Sequence, residues 1–212
     1  MTEPTALGDL DLAALVSSRI CHDVINPVSA ISNGLEMLAE DPDDDMREAA
    51  MDLVRKSAWQ ASARLQFARL AFGAAGSAGA EIDLRDAEKV ARDFVQCSGK
   101  HEVVWDGPAL TLPKNKVKLL LNLAALGVVA LPRGGTVNVA ISGDPPDIAF
   151  TVTAKGTAAR LNEQVTSLLT GGTGVEVDAH SIQPYYAGRV ANAAGMTITV
   201  ETKDDEVTFK AA

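Results

Sequence analysis

The sequence predicts an α+β protein in two parts, a helical hairpin followed by an α/β sandwich. Hydrophobic residues recur every three or four positions in the first part of the chain, which is the period of an α-helix. A run of small residues ends this pattern. Beyond it, helical segments are mixed with segments in which apolar and polar residues alternate. We therefore assign residues 1–76 to the hairpin and residues 77–212 to the sandwich.

The first helix is expected from Asp9 to Ala39, where Pro27 is the residue that breaks the helical pattern. Asp9 or Asp11 can cap its start, and Pro42 ends it. One face is apolar, and this stripe consists of Val16, Ile20, Val24, Val28, Ile31, Leu35 and Leu38.

The second helix follows a short acidic turn and runs to about Gly73. Residues 43–45 are all aspartate, which suits the positive end of a helix. Its own stripe consists of Met46, Ala50, Val54, Ala58, Ala61, Leu65, Ala68 and Phe72. The many alanines allow close packing against a neighbouring helix. One hairpin cannot bury two apolar stripes well, whereas two hairpins can, so the sequence predicts a four-helix bundle in a homodimer.

A flexible linker, Gly73–Ala80, separates the hairpin from the sandwich. Beyond it we expect helices at Leu84–Cys97, Lys114–Ala130, Ala158–Leu169 and Ser181–Ala194. Alternating patterns predict strands at Thr136–Ser142, Ile148–Thr153, Met196–Glu201 and around Val207 and Phe209. Turn-forming residues between these strands indicate a mainly antiparallel sheet with helices on one face.

Charge and composition exclude several classes of function. The net charge of −9 argues against binding to nucleic acid or to an anionic membrane surface. The apolar run Leu119–Leu131 is too short to span a membrane, and the start of the chain lacks the basic region of a signal peptide. We expect a cytoplasmic protein, in which Cys21 and Cys97 are two buried thiols without a metal.

The first helix carries a histidine opposite its apolar stripe, so His22 is expected to point to solvent. Asp23 can reach the ring nitrogen nearer the backbone, fix the tautomer and leave the outer nitrogen as a nucleophile. Pro27 presses on the carbonyl of Asp23 one turn back, which would loosen the helix beside the histidine. Taken alone, the pattern favours an ordinary surface histidine on a kinked helix.

The segment His22–Ile31, "HDVINPVSAI", resembles the phosphoacceptor segment of sensor histidine kinases. The hairpin, the linker and the sandwich also follow in the order found in those kinases. The resemblance implies that His22 accepts a phosphoryl group and that Asp23 assists it. It also implies that Asn26 can position water for phosphatase chemistry.

The second part resembles the ATP-binding domain of these kinases, but the nucleotide ligands are missing. In Asn122–Gly135, which is similar to the asparagine-rich kinase helix, Leu126 replaces the magnesium-binding asparagine and Val129 a lysine. Ala154 stands where the adenine-binding acid belongs, and Ala158 replaces a glycine. An aliphatic side chain cannot bind a hard cation. We therefore expect a degenerate domain that binds no ATP and no other cofactor.

Three further features are interpreted as structural. The segment Thr170–Gly174, "TGGTG", resembles a phosphate cradle but lacks the lysine that should follow, so we interpret it as a turn. His101 and His180 have no partner at ligand spacing, and we interpret both as ordinary residues.

A phosphoacceptor hairpin joined to a degenerate ATP domain resembles the ChpT-type histidine phosphotransferases. The resemblance implies that the receiver domain of a CckA-like hybrid kinase phosphorylates His22. It also implies that response regulators of the CtrA and CpdR types, which control the cell cycle, then receive the phosphoryl group. The receiver would supply Mg²⁺. By the family's pattern, docking is expected at Ser29, Ala30, Asn33, Gly34 and Met37.

Two alternatives stay open at this point. The first is a divergent histidine kinase that still binds nucleotide, and the second is a non-catalytic dimeric adaptor that docks receiver domains.

Overall fold

The first two helices form the predicted antiparallel hairpin. In the computed structural model, which describes residues 6–73, 81–172 and 174–212, α1 spans Asp9–Ala39 and α2 spans Asp44–Ala71. Asp43 caps α2, because its carboxylate accepts the N–H of Met46 at 2.9 Å. The predicted cap of α1 is wrong: Gly8 is the capping residue, and Asp9 and Asp11 lie inside the first turn.

Small residues bring the two hairpin helices close together. Pro27 and Gly34 are the buried residues of α1, and Gly34 faces α2. A Cβ atom on Gly34 would lie 2.7 Å from Cγ2 of Val54 and 3.2 Å from the carbonyl oxygen of Ala50. The predicted close packing is therefore confirmed on both sides of the seam.

The second part contains a five-stranded sheet in the order β2-β4-β5-β7-β6. β2 runs parallel to β4, and the other neighbouring strands are antiparallel, as predicted. A separate two-stranded sheet pairs β1 with β3. The strands are β1 Glu81–Asp83, β2 His101–Asp106, β3 Thr111–Pro113, β4 Gly135–Ser142, β5 Ala149–Lys155, β6 Ile198–Lys203 and β7 Glu206–Ala211.

Helices cover this sheet, with α4 at the centre of the core. The helices are α3 Leu84–Gln96, α4 Lys114–Val129, α5 Glu163–Leu169 and α6 Ile182–Ala194. Every residue of α4 from Val117 to Gly127 is buried, because this helix packs against the sheet, α2, α3 and α6. Together with the hairpin, this arrangement confirms the predicted α+β class.

One predicted element needs correction, three strands were missed, and the linker lies almost wholly outside the described residues. The helix expected from Ala158 begins only at Glu163, because Ala158 adopts a positive φ of 62° and donates its N–H to Asp205. The strands β1, β2 and β3 were not predicted. Of the predicted linker, only Gly73 belongs to the described residues.

The hairpin packs directly against the second part of the chain. The rings of Phe67 and Phe94 stack with their centroids 3.9 Å apart, which joins the end of α2 to α3. At the other side, Leu12, Leu15 and Val16 of α1 pack on a cluster formed by Leu168, Ile182 and Tyr185. These contacts bring the start of α6 to the first two turns of α1.

Candidate functional site

His22 lies near the middle of α1 with 59% of its side chain exposed. Its Nδ1 atom is 3.6 Å from Oδ1 of Asp23, so the carboxylate lies beside the ring nitrogen nearer the backbone. The other nitrogen, Nε2, makes no hydrogen bond with any described residue. A carboxylate beside Nδ1 favours the tautomer with its proton on that nitrogen, which leaves a lone pair on Nε2.

Asp23 is itself held by a second charged residue. Its Oδ2 atom accepts a hydrogen bond of 2.9 Å from Nε of Arg19, one turn earlier on α1. The carboxylate therefore lies between a guanidinium and an imidazole. Arg19 also donates from Nη1 to the main-chain carbonyl of His180, at 3.3 Å. This second bond links the acid beside His22 to the α+β part.

Pro27 acts on the same residue from the other side. Because proline has no N–H, the carbonyl of Asp23 loses its usual helical donor. Arg64 on α2 replaces that donor, with its Nη1 atom hydrogen-bonded to the Asp23 carbonyl. α1 stays helical through Pro27, so the expected loosening takes the form of one exchanged hydrogen bond.

The predicted docking residues divide into two groups. Ser29 and Asn33 are exposed, and Ala30 and Met37 are partly exposed, while Asn26 is exposed one turn after His22. Gly34 is buried against α2 instead, so its place in the fold is the seam between the helices.

Another face of the hairpin is apolar and uncovered in the single chain. Within the predicted stripes, Val28 and Leu35 are 46% and 54% exposed. The large exposed hydrophobic residues of the two helices between His22 and the end of α2 are Ile25, Val28, Leu35, Met46, Leu53, Trp59 and Leu65. The α1 members, Ile25, Val28 and Leu35, lie on one side of that helix, and we call these three residues the apolar hairpin face.

The positions that would hold nucleotide in a kinase are filled by packing. Leu126 is 1% exposed within α4, and Ala154 is fully buried in β5. Asn122, which the resemblance aligns with a kinase asparagine, donates to the carbonyls of Ala71 at 3.3 Å and Lys118 at 2.8 Å. Its amide therefore ties α4 to the end of α2.

The cysteines differ from each other. Cys97 is buried, and burial raises the pKa of its thiol, which makes it less reactive. Cys21 is exposed, so the prediction of two buried thiols is wrong for this residue. It occupies the exposed side of α1 that also carries His22.

Sequence reasoning missed His180, which reaches His22 from the α+β part. The two imidazole rings lie with centroids 5.5 Å apart and planes at 82°. Their distance along the chain hid this contact, and the sequence carries no local signal for it. His101 has a structural place, hydrogen-bonded to Ser98 and to the Leu131 carbonyl.

A helical hairpin that presents an outward histidine, followed by an α+β domain of this topology, is the arrangement expected of proteins with phosphohistidine chemistry. The model of a protein family described as "Histidine phosphotransferase C-terminal domain" matches residues 84–206 of this chain. The chain therefore belongs to the histidine phosphotransferase family, and it is a protein phosphotransferase.

Individual relatives agree with this assignment. The chain is 49% identical, over 212 residues and the full length of both proteins, to the protein phosphotransferase ChpT of Brucella abortus (strain 2308). It is similar to the solved structure of a bacterial phosphotransferase, with 46% identity, full coverage of both chains and a TM-score of 0.90.

The histidine kinase domain of the Erythrobacter litoralis EL346 blue-light activated histidine kinase shares the fold, at 11% identity. Its TM-score is 0.50, over 87% of this chain and 94% of that one.

Among the described residues, no helix is both long and apolar enough to cross a membrane.

Proposed function

We propose that His22 is the phosphoacceptor of a cytoplasmic phosphorelay. The receiver aspartate of a CckA-like hybrid kinase supplies the phosphoryl group, and response regulators of the CtrA and CpdR types, in cell-cycle control, take it up. The observation that carries the proposal is the exposed His22 ring with Asp23 at its Nδ1 atom, 3.6 Å away.

The chemistry follows from that geometry. The lone pair of Nε2 attacks the phosphorus of the aspartyl phosphate, and the bond between phosphorus and the carboxylate oxygen breaks as the aspartate leaves with the electron pair. The ring becomes a phosphoimidazolium, whose proton stays on Nδ1. The Asp23 carboxylate stabilises this positive charge, while Arg19 keeps the carboxylate in place. The reverse sequence delivers the phosphoryl group to the next receiver.

Other parts of the reaction come from the partner. Charge neutralisation is the main task in phosphoryl transfer, and the receiver domain brings Mg²⁺ and its acidic pocket. The filled positions at Leu126 and Ala154 support a domain that binds no ATP, so the protein depends on phosphoryl groups from other proteins. The exposed or partly exposed residues Ser29, Ala30, Asn33 and Met37 support receiver docking along α1 beyond His22.

The apolar hairpin face supports a homodimer. Exposed large hydrophobic residues at the spacing of Ile25, Val28 and Leu35 form a continuous stripe on α1. A contiguous stripe of this kind marks an interface. Two copies that join these faces form a four-helix bundle with one His22 on each side.

The decisive experiment is transfer from a purified receiver. A CckA-like receiver phosphorylated with acetyl phosphate, freed of excess donor, is mixed with the protein, and acid-labile label is expected on His22. The His22→Ala variant should remain unlabelled. Label on that variant would reject His22 as the acceptor, and label from ATP alone would identify a kinase. Unlabelled wild-type protein that still binds the receiver would identify an adaptor.

Asn26 is proposed to position water for release of phosphate from a bound regulator, because its amide is exposed one turn after His22. An Asn26→Ala variant should then transfer normally from the receiver to His22 but dephosphorylate the regulator more slowly. Equal dephosphorylation by both proteins would exclude this role.

A further inference from the structure

The turn before α6 is held rigidly by its own side chains. The Asp178 carboxylate accepts the main-chain N–H groups of His180, at 3.0 Å, and Ser181, at 2.8 Å. It also accepts the hydroxyl of Ser181 at 2.6 Å. These bonds hold the pKa of Asp178 below its usual value. The backbone of His180 is therefore fixed relative to α6.

The turn is also fixed relative to α1. Directly after it, Ile182 is fully buried in the cluster that contacts Leu12, Leu15 and Val16 on α1. In addition, Tyr185 accepts the main-chain N–H of Leu7, at 3.0 Å. The apolar contact on α1 lies about two helical turns before His22. Packing therefore sets the position of the loop before α6, which carries His180, beside His22.

Two contacts join this turn to the phosphoacceptor. The His180 ring lies against His22 with perpendicular planes and a centroid distance of 5.5 Å. The His180 carbonyl accepts from Arg19, which in turn binds Asp23. The ring contact therefore acts on the nucleophile, and the carbonyl contact acts on its acid.

An exposed histidine on a helix otherwise samples several side-chain rotamers. Perpendicular aromatic contacts favour one relative orientation of two rings. In this structure, the favoured orientation is the one in which Nδ1 of His22 faces Asp23 and Nε2 is free.

We propose that His180 is a positioning residue for phosphoryl transfer, which holds the His22 ring in its reactive orientation. The inference rests on the proposed function, in which His22 is the acceptor. It also gives the degenerate ATP domain a task in the chemistry, because that domain supplies the second imidazole.

The test compares His180→Ala, which removes the ring, with His180→Phe, which keeps an aromatic edge. Lys203→Ala, at an exposed site on β6, is the control. Transfer from a phosphorylated receiver is measured in a single turnover over a range of receiver concentrations. This separates the rate constant at saturation from the Kd of the receiver.

We expect His180→Ala to lower the rate constant roughly 3- to 10-fold, with the Kd unchanged within about twofold. His180→Phe should recover much of the loss. The ¹⁵N chemical shifts of His22, assigned with His22→Ala, should move in His180→Ala from one tautomer towards an average of the two. These shifts are read without any partner, so they test the orientation of the ring separately from catalysis.

A wild-type rate constant with unchanged ¹⁵N shifts in His180→Ala would overturn the inference and leave the proposed function intact. A weaker Kd at an unchanged rate constant would reassign His180 to docking and would also overturn it. Label on His22→Ala would reject the proposed function itself. Circular dichroism of each variant establishes that it is folded, and His180→Leu, which fills similar space without a ring, replaces His180→Ala in the test if His180→Ala is not.

Discussion

The main-chain carbonyl of Asp23 accepts a hydrogen bond from the Arg64 guanidinium across the seam between the two hairpin helices. The bond exists because a proline stands four residues after Asp23 and offers no N–H. The backbone next to the phosphoacceptor is thus held by the neighbouring helix.

The first prediction concerns this bond. Arg64→Ala should lower the free energy of unfolding by about 1 to 3 kcal/mol, because a charged donor to a partly buried carbonyl is lost. Arg55→Ala, at an exposed ion pair, should change it by less than about 0.5 kcal/mol. Urea unfolding measures both. In a Pro27→Ala background the helix regains its own donor, so an equally large effect of Arg64→Ala there would contradict the explanation.

The second prediction concerns the closest approach of the two helices. Gly34→Ala should destabilise the protein by about 1 to 3 kcal/mol, even though alanine is the better helix former. The added methyl group would lie 2.7 Å from Val54. Val54→Ala should reduce this cost in the double variant, as measured by thermal unfolding. A stabilised Gly34→Ala protein would show that the seam can open.

The third prediction concerns the retained asparagine of α4. Asn122→Ala should destabilise the protein by about 1 to 3 kcal/mol, because the carbonyl of Ala71 and the buried amide of Gln183 lose a partner. Nucleotide titration should give no binding before or after the substitution. If the wild-type protein bound nucleotide, and Asn122→Ala abolished that binding without changing the free energy of unfolding, Asn122 would instead be a nucleotide-binding residue.

The fourth prediction concerns Lys118, whose pKa is lowered from 10.5 chiefly by burial. Between the lowered pKa and 10.5 the unfolded chain binds more protons than the folded one, so this residue makes stability rise with pH in that window. Burial raises the pKa of Tyr186 above 10.0, so Tyr186 makes the free energy of unfolding fall only as the pH rises above 10.0. Lys118→Met should flatten the rise of the unfolding free energy below pH 10, and exposed Lys203→Met should not. The same slope in all three proteins would exclude Lys118 as its source.

The fifth prediction concerns the apolar hairpin face. Leu35→Glu should convert the proposed dimer to a monomer with an unchanged helical content, because the charge would be buried between two copies. Asn33→Glu, on the polar face of the same helix, should stay dimeric. Light scattering after size-exclusion chromatography gives the mass of each. A dimeric Leu35→Glu protein would place the interface elsewhere.

The sequence specified most of the fold because its long elements have strong periodic patterns. For α1, the sequence pattern predicted both ends of the helix, Asp9 and Ala39, correctly. β2 was not predicted because Val103, Val104 and Trp105 are consecutive apolar residues, which hide in the sequence the alternation that buries Val103 and exposes Val104. The prediction that a helix starts at Ala158 is wrong because the N–H of Ala158 donates to Asp205, which lies in the turn between β6 and β7.

The candidate site could be predicted only as far as it is local. His22 and Asn26 are one helical turn apart and Asp23 directly follows His22, so their proximity follows from the local sequence. His180 and Arg64 approach from other elements, and their contacts depend on how the two parts pack. The family's pattern assigns Gly34 to the docking face, and the sequence of its own helix does not show that Gly34 contacts α2.

The buried Asn122 has a consequence for protein engineering. Anyone who wished to rebuild an autokinase from this chain would meet a problem of volume before one of chemistry. An amide introduced at Leu126 would enter a filled aliphatic interior, and the asparagine already present is occupied in joining two helices. Rebuilding an autokinase would therefore require several coordinated substitutions that repack the interior before a metal ion could be bound there.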